Sequence, residues 1–221
     1  MERIGVLVEA KHPRPDDPDA ETLSTLSLKT TEMGPLVWPY VCRLTALKSL
    51  WPLWITNPLS DQWRALESMS AMICLSLWPH PGNREMMQVA DFLPHVLKCT
   101  QLEQLSLGRG MSISAAQLTS ICTSLPNLWS IVLYQMFVES VTPLELAPVL
   151  RDVEVSRCRG LRGEPLLACT KLPAMPLLTD LILEEPYAHR VPAAEVEPLL
   201  AAIRARCPKL RNIKHRRKPS V

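Results

Sequence analysis

The sequence predicts an α/β solenoid, in which short parallel strands stack into a curved sheet and helices with irregular turns cover the other side. Three observations carry this. The 221-residue chain holds 36 Leu against 2 Phe and 3 Tyr, so one size of apolar side chain is used again and again. An apolar residue followed by others at +3 and +5 recurs along the chain. Between these cores the apolar spacing changes from period 2 to period 3.6, the strand and helix periods.

The cores come in order. Leu23, Leu26 and Leu28 form the first. Leu44, Leu47, Leu50 and Leu53 contain a second whose register is ambiguous; taking Leu47 as its first position suits the spacing. Then follow Met72/Leu75/Leu77, Leu102/Leu105/Leu107, Leu128/Ile131/Leu133, Leu150/Val153/Val155 and Leu178/Leu181/Leu183, and Leu210 with Ile213 is a truncated last copy. The first positions are 24, 25, 30, 26, 22, 28 and 32 residues apart. One such core is a weak signal, but about eight degenerate copies at similar spacing are a strong one. In each, period-2 alternation turns the +3 and +5 residues inward. Each unit buries its neighbour's apolar face, so none stands alone.

Between the cores, Ser114 can cap a helix with Leu118, Ile121, Cys122 and Leu125 on one face, stopped by Pro126. Asp61 can cap a shorter one carrying Trp63 and Leu66. Residues 83–93 suit a helix that breaks at Pro94. Pro198 suits a first helical position, with Leu199, Leu200, Ile203 and Cys207 on one face and Arg204 and Arg206 in the last turn. The Pro-containing linkers 143–149 and 164–172 allow a short helix or 3₁₀ turn at most. Ile4–Val8 suits an N-terminal edge strand, and 11–19, with three Pro and three Asp, a solvated loop.

The LxxLxL cores resemble those of the leucine-rich-repeat family over nearly the whole chain. Leu125-Pro-Asn-Leu128-Trp-Ser-Ile131 and Cys207-Pro-Lys-Leu210-Arg-Asn-Ile213 resemble the helix-to-strand junctions of ribonuclease-inhibitor-like and cysteine-containing repeats, as in the recognition halves of F-box proteins. No F-box-like segment is visible before the repeats. The pattern departs from the family after the strands, where asparagine is expected. Gly110, Met136, Cys158 and Pro186 stand there, Cys158 being the fairest substitute, so irregular turns are expected. Cys99, Cys169 and Cys207 precede Leu102, Leu172 and Leu210 by three residues, and Cys42 and Cys122 fall near equivalent helix ends. The seven cysteines, an odd number with no CxxC pair, suit reduced, buried thiols.

Other functional classes find little support. No apolar run is long enough to span a membrane, and the start is too short for a signal peptide. A net charge of +2 from 24 basic and 22 acidic residues creates no global field toward nucleic acid. The five histidines are scattered and no Gly-rich phosphate loop or G-x-S-x-G elbow occurs, so no metal, cofactor or catalytic residue is expected. The expectation is a single domain, 1–213, followed by a basic tail, 214–221, carrying Lys214, Arg216, Arg217 and Lys218. An intracellular setting, cytoplasmic or nuclear, and a monomeric free state go with it.

In such an array the residues between the inward leucines face the open side of the sheet, and that surface binds partners. Register places Gln104, Ser106, Ser130, Asp152, Glu154 and Asp180 there, with Glu184 read as a solvent-facing acid at a strand end. The position after the last inward residue holds Trp78 and Tyr134, and Trp51 in the ambiguous copy. These rings are either core that covers the strand ends or an aromatic ridge that anchors a partner. The expected function is a protein-interaction module, for instance a recognition subunit of a ligase or signalling complex. The alternatives are a structural subunit of a larger assembly and, third, an enzyme with a site not visible in sequence.

Overall fold

The computed structural model describes residues 25–27, 32–33, 45–51, 54–55, 63–79, 88–161, 175–184 and 193–216. The readings for residues 4–19, Cys42, Asp61, 83–87, 164–172, Pro186, Arg217 and Lys218 lie outside these.

Each core folds as a strand. In chain order the strands are β1 (Thr25–Ser27), β2 (Glu32–Met33), β3 (Ser49–Trp51), β4 (Trp54–Ile55), β5 (Cys74–Pro79), β6 (Gln104–Gly108), β7 (Ser112–Ile113), β8 (Ser130–Tyr134), β9 (Phe137–Val138), β10 (Asp152–Ser156), β11 (Asp180–Glu184) and β12 (Asn212–Arg216). Eight pair side by side in the order β1-β3-β5-β6-β8-β10-β11-β12, all parallel. The short strands form side ladders, β2 with β4 and β4 with the end of β5, and β7 with β9. The register matches like with like: Leu50, Leu75, Leu105, Ile131, Val153, Leu181 and Ile213 form one row. The first six of these are buried and belong to one continuous core. At roughly 1.5–3 kcal/mol per fully buried aliphatic side chain, this row drives the stacking.

The strand starts share a second device. One carbonyl per repeat accepts two successive N–H groups of the next: Ile73 from Glu103 and Gln104, Glu103 from Trp129 and Ser130, Trp129 from Arg151 and Asp152, Arg151 from Thr179 and Asp180. All eight distances lie between 2.8 and 3.1 Å. These bonds lock the spacing of the repeats where each chain segment turns into the sheet.

Helices lie between the strands: α1 (Val89–Val96), α2 (Ala115–Ser124) and α3 (Ala193–Arg206), with 3₁₀ turns at Arg64–Ser68 and Thr142–Leu146. Strands stack about 4.8 Å apart while helices need about 10 Å, so the sheet takes the inner, concave side. Ser114 caps α2 as expected. Its hydroxyl accepts from the Gln117 N–H at 3.2 Å, and the Gln117 side chain accepts from the Ser114 N–H at 2.8 Å. Leu118, Ile121, Cys122 and Leu125 are all buried.

Two proline readings are corrected. α1 does not break at Pro94 but runs through it to Val96, and α3 begins at Ala193, five residues before Pro198. In both helices the proline lies on the exposed side, as does the residue four before it whose carbonyl is released, Ala90 or Ala194. Water can satisfy that carbonyl, while packing holds each helix together, by buried Val89 and Val96 on either side of Pro94 in α1 and by buried Leu200 and Ile203 after Pro198 in α3.

The turns after the strands, expected to be irregular for want of asparagine, instead share one backbone feature and differ by a single inserted residue. Arg109, Gln135 and Arg157 occupy equivalent positions and all have positive φ, 53°, 52° and 54°. Gly110 is an inserted residue there, and the buried Met111 rather than Gly110 takes the place of Met136. Cys158 does substitute for asparagine, donating its S–H to the Leu133 carbonyl at 3.2 Å.

β12 continues past Ile213 to Arg216 and pairs with β11, so the last copy is a full strand. Lys214 and Arg216 therefore belong to the sheet rather than to a tail. The N–H of Asn212 anchors the strand's start on the Thr179 carbonyl at 3.1 Å.

Candidate functional site

Between the inward rows, register sets out three further columns of positions across the sheet. The first is Thr25, Ser49, Cys74, Gln104, Ser130, Asp152, Asp180 and Asn212. The second includes Ser76, Ser106, Val132, Glu154, Ile182 and Lys214. The third, at the strand ends, includes Gly108, Tyr134, Ser156, Glu184 and Arg216.

Trp51 does not join Tyr134. It registers with Ser27, in the second column, because β3 pairs Leu50 with Leu75 and so fixes Leu47 as the first position of its copy. The residue that registers with Trp78 is Trp54, on β4.

Trp78 and Tyr134 come together. Their rings stack with centroids 5.2 Å apart and planes 9° apart. The Trp78 indole N–H donates to the Ser106 hydroxyl at 3.0 Å. A guanidinium flanks each ring: Arg109 lies 5.8 Å from the Trp78 centroid and Arg157 5.7 Å from that of Tyr134. Both arginines project from the positive-φ turns that follow the strands. The Arg157 Nε donates to Glu184 at 2.8 Å, and Glu184, only 8% exposed, is a buried ion-pair partner rather than a solvent-facing acid. Both rings are half-buried, so they form neither sealed core nor free side chains.

The rest of the face is knit by short polar contacts. Cys74 donates to Gln104 at 2.9 Å, Ser130 to Asp152 at 3.2 Å, Ser156 to Glu154 at 2.6 Å and Asn212 to Asp180 at 2.6 Å. The expected open polar face is partly closed, since Ser76, Ser106 and Ser130 are buried beneath larger neighbours. Burial, followed by the charges of Asp180 and Glu154, pushes the Asp152 carboxyl up against the opposing bond from Ser130. The Asp180 carboxyl is held down, chiefly by the bond from Asn212. At the strand starts a cleft of about 560 Å³ opens beside these two carboxylates.

Arg109, Arg157 and Trp129 escaped the sequence reading. Each arginine stands two residues after the last inward side chain of its copy, Leu107 or Val155, and that shared offset is the signal. Trp129 directly follows the first position, Leu128.

The described residues hold one arrangement reminiscent of acid–base chemistry, Glu67 bonded to His95 Nδ1 at 2.8 Å with Cys99 nearby. Cys99 is buried and bonds the Leu66 and His95 carbonyls, and burial pushes its thiol up to about 11. It is therefore a protonated core residue and a poor nucleophile. No helix among the described residues is long and apolar enough to cross a membrane.

No protein-family model matches the sequence, and no curated protein matches it. Solved structures do match. Internalin C2 from Listeria monocytogenes is 15% identical over 88% of this chain and 81% of its own, with a TM-score of 0.50. An internalin, InlF, of the same organism is 12% identical over 89% and 87%, with a TM-score of 0.27. The likeness to internalin C2 concerns the fold, which is an α/β leucine-rich-repeat solenoid.

Proposed function

We propose that this chain is a protein-interaction module whose partner docks on the ridge at the strand ends. One observation carries the reading: Trp78 and Tyr134, both half-buried, stack with an arginine flanking each, on a scaffold locked by strand pairing and core packing. Trp, Tyr and Arg are the residues most enriched at binding hot spots. A preformed surface binds without first ordering loops. In the finer version the module reads substrates for an intracellular ligase or signalling complex. That version is supported by the spelling of the Leu125–Ile131 and Cys207–Ile213 junctions.

The test is affinity capture by the intact chain beside its Trp78→Ala/Tyr134→Ala variant. A partner retained by the first and lost by the second, with circular dichroism melts within a few degrees, supports the ridge. Equal capture by both, or a variant that no longer folds, rejects it in favour of a core role for the rings.

A second reading, a subunit built permanently into a larger assembly, is favoured by two exposed apolar side chains. Phe137 and Leu146 are 48% and 45% exposed in the connection between β8 and β10. Under that reading the isolated chain aggregates, and Phe137→Ser with Leu146→Ser restores a monomer on size exclusion.

A further inference from the structure

The cleft at the strand starts is separate from the ridge. Four residue steps along β10, about 13 Å, lie between the levels of Asp152 and Ser156. Its lining includes Glu103, Trp129, Arg151, Asp152, Thr179 and Asp180.

The walls are fixed before any ligand arrives. The doubly accepting carbonyls hold the backbone of Glu103, Trp129, Arg151 and Thr179 as one ladder. The Trp129 indole N–H is tied to the Glu103 carboxylate at 3.0 Å, and the Thr179 hydroxyl to the Arg151 carbonyl at 3.1 Å. Across the sheet the lining thus runs from Glu103 beside β6, past Trp129, to Asp180 on β11.

The charge balance is acidic. In the lining three carboxylates, Glu103, Asp152 and Asp180, stand against one guanidinium, that of the exposed Arg151, while Lys214 and Arg211 act on Asp180 from outside the lining and leave Asp152 as the carboxylate without a compensating cation. Asp152 and Asp180 are register partners on neighbouring parallel strands, so their Cα atoms stand about 4.8 Å apart. Each accepts a side-chain bond on its outer flank, from Ser130 or Asn212, and retains acceptor capacity toward the cleft. The anion of Asp152 is half-buried and faces like charges from Asp180 and Glu154. A cation between the two aspartates relieves that strain. A metal ion is poorly suited, because among the described residues no three His, Cys, Asp or Glu are gathered closely enough to ligate one. A flat, forked cation suits better. Guanidinium offers N–H groups to two acceptors and its plane lies well against an aromatic wall, whereas ammonium is a compact, strongly hydrated point charge.

We propose that this cleft receives an arginine side chain of a protein partner, with Asp152 and Asp180 accepting its N–H groups and Trp129 forming the wall. It is a second recognition point on the opposite edge of the sheet. It stands whether or not the ridge binds.

The intact chain, labelled with ¹⁵N, is titrated with acetyl-arginine amide, acetyl-lysine amide and acetyl-glutamine amide. The Trp129 indole N–H signal, assigned by its loss in Trp129→Phe, is the readout. The expected result is a saturable shift with the arginine amide at a Kd on the order of 1–10 mM. The lysine amide binds several-fold more weakly, and the glutamine amide produces no saturable shift. Asp152→Asn with Asp180→Asn weakens the arginine amide about tenfold, and Arg151→Ala tightens it by removing a competing cation. Should the double variant not fold, Asp180→Asn alone, at the less buried of the two carboxylates, gives the same direction. The proposal is overturned by no saturable shift, by equal binding of the lysine or glutamine amide, by an aspartate variant that binds like the parent, or by loss of binding in Arg151→Ala. That last outcome would mark the cleft as an anion site.

Discussion

Trp78 and Tyr134 stack across a strand that belongs to neither, and Gly108 is the residue over which they meet. β5 and β8 are both neighbours of β6 but not of each other, so nearly 10 Å separates their backbones. Gly108 registers with Tyr134 and brings no side chain between the rings.

Gly108→Ala is therefore expected to be costly. Its Cβ would lie 2.8 Å from the Tyr134 carbonyl oxygen, 3.4 Å from Tyr134 Cβ and 3.6 Å from Trp78 Cε2. The oxygen is backbone and already accepts the Arg109 N–H at 2.7 Å, so it cannot simply swing away. A loss of about 1–3 kcal/mol, typical of overpacking, is expected in chemical unfolding. The near-ultraviolet dichroism of the stacked rings should weaken with it. If both stay at parent values, the glycine is not what lets the rings meet.

Gly160→Ala is expected to be worse than Gly110→Ala. Both glycines have positive φ, 87° and 79°, which costs any L side chain. Around Gly110 nothing lies within 4 Å of the added methyl, whereas at Gly160 it would enter the ring of Phe137. Thermal melts should show a loss of about 1 kcal/mol for Gly110→Ala from backbone strain. Gly160→Ala should exceed it. Truncating Phe137 to Ala in the Gly160→Ala background should recover part of the difference, and no recovery would assign the whole effect to φ.

The strands were legible because leucine at +3 and +5 repeats whatever happens between the copies. α2 was legible because a cap, an apolar face and a stopping proline agree on its limits. The copy at Leu47 was legible by spacing alone, since leucines at 44, 47, 50 and 53 suit more than one register, and the pairing of Leu50 with Leu75 bears out Leu47 as its first position. That ambiguity put Trp51 in the wrong column. The helix limits at Pro94 and Pro198 failed for another reason, because an exposed proline costs one hydrogen bond while packing holds the helix, through buried Val89 and Val96 around Pro94 and through partly buried Val196 with buried Leu200 and Ile203 around Pro198. The ridge was half legible. Its rings follow from register, but its arginines sit in turns, where periodicity is silent.

Neighbouring Asp152 and Asp180 are expected to respond to pH with opposite signs. Asp152 has its folded-state pKa raised above the ordinary 3.8, first by burial. Its contribution is present below 3.8 and lost as pH rises through the folded value. Asp180 has its folded-state pKa lowered, first by the Asn212 bond, so its contribution is present above 3.8 and lost as pH falls. At pH 7, Asp152→Asn should raise Tm and Asp180→Asn should lower it slightly, the latter being the more solvent-screened charge. Both differences should shrink as the pH falls below 3.8. Melts of the two variants across pH 3–7 check this, and shifts of the same sign at pH 7 would refute it.

The buried thiols predict a loss of stability at high pH. Burial raises Cys122 and Cys158 from 9.0 to about 12 and Cys99 to about 11, with Glu67 adding its charge at Cys99. In the unfolded chain these groups lose their protons near the ordinary 9.0, while in the folded chain they keep them longer. Between those values the folded state binds more protons, so stability falls as pH rises. Since the thiolate is the reactive form, the same burial predicts kinetics. At pH 8 iodoacetamide should leave Cys99, Cys122 and Cys158 unmodified in the native protein and alkylate all three in guanidinium chloride, read by peptide mass spectrometry. Cys122→Ala should lose less stability between pH 8 and pH 11 than the parent, even though it starts lower for want of a core side chain. A parallel fall in both proteins would show that the alkaline loss arises elsewhere.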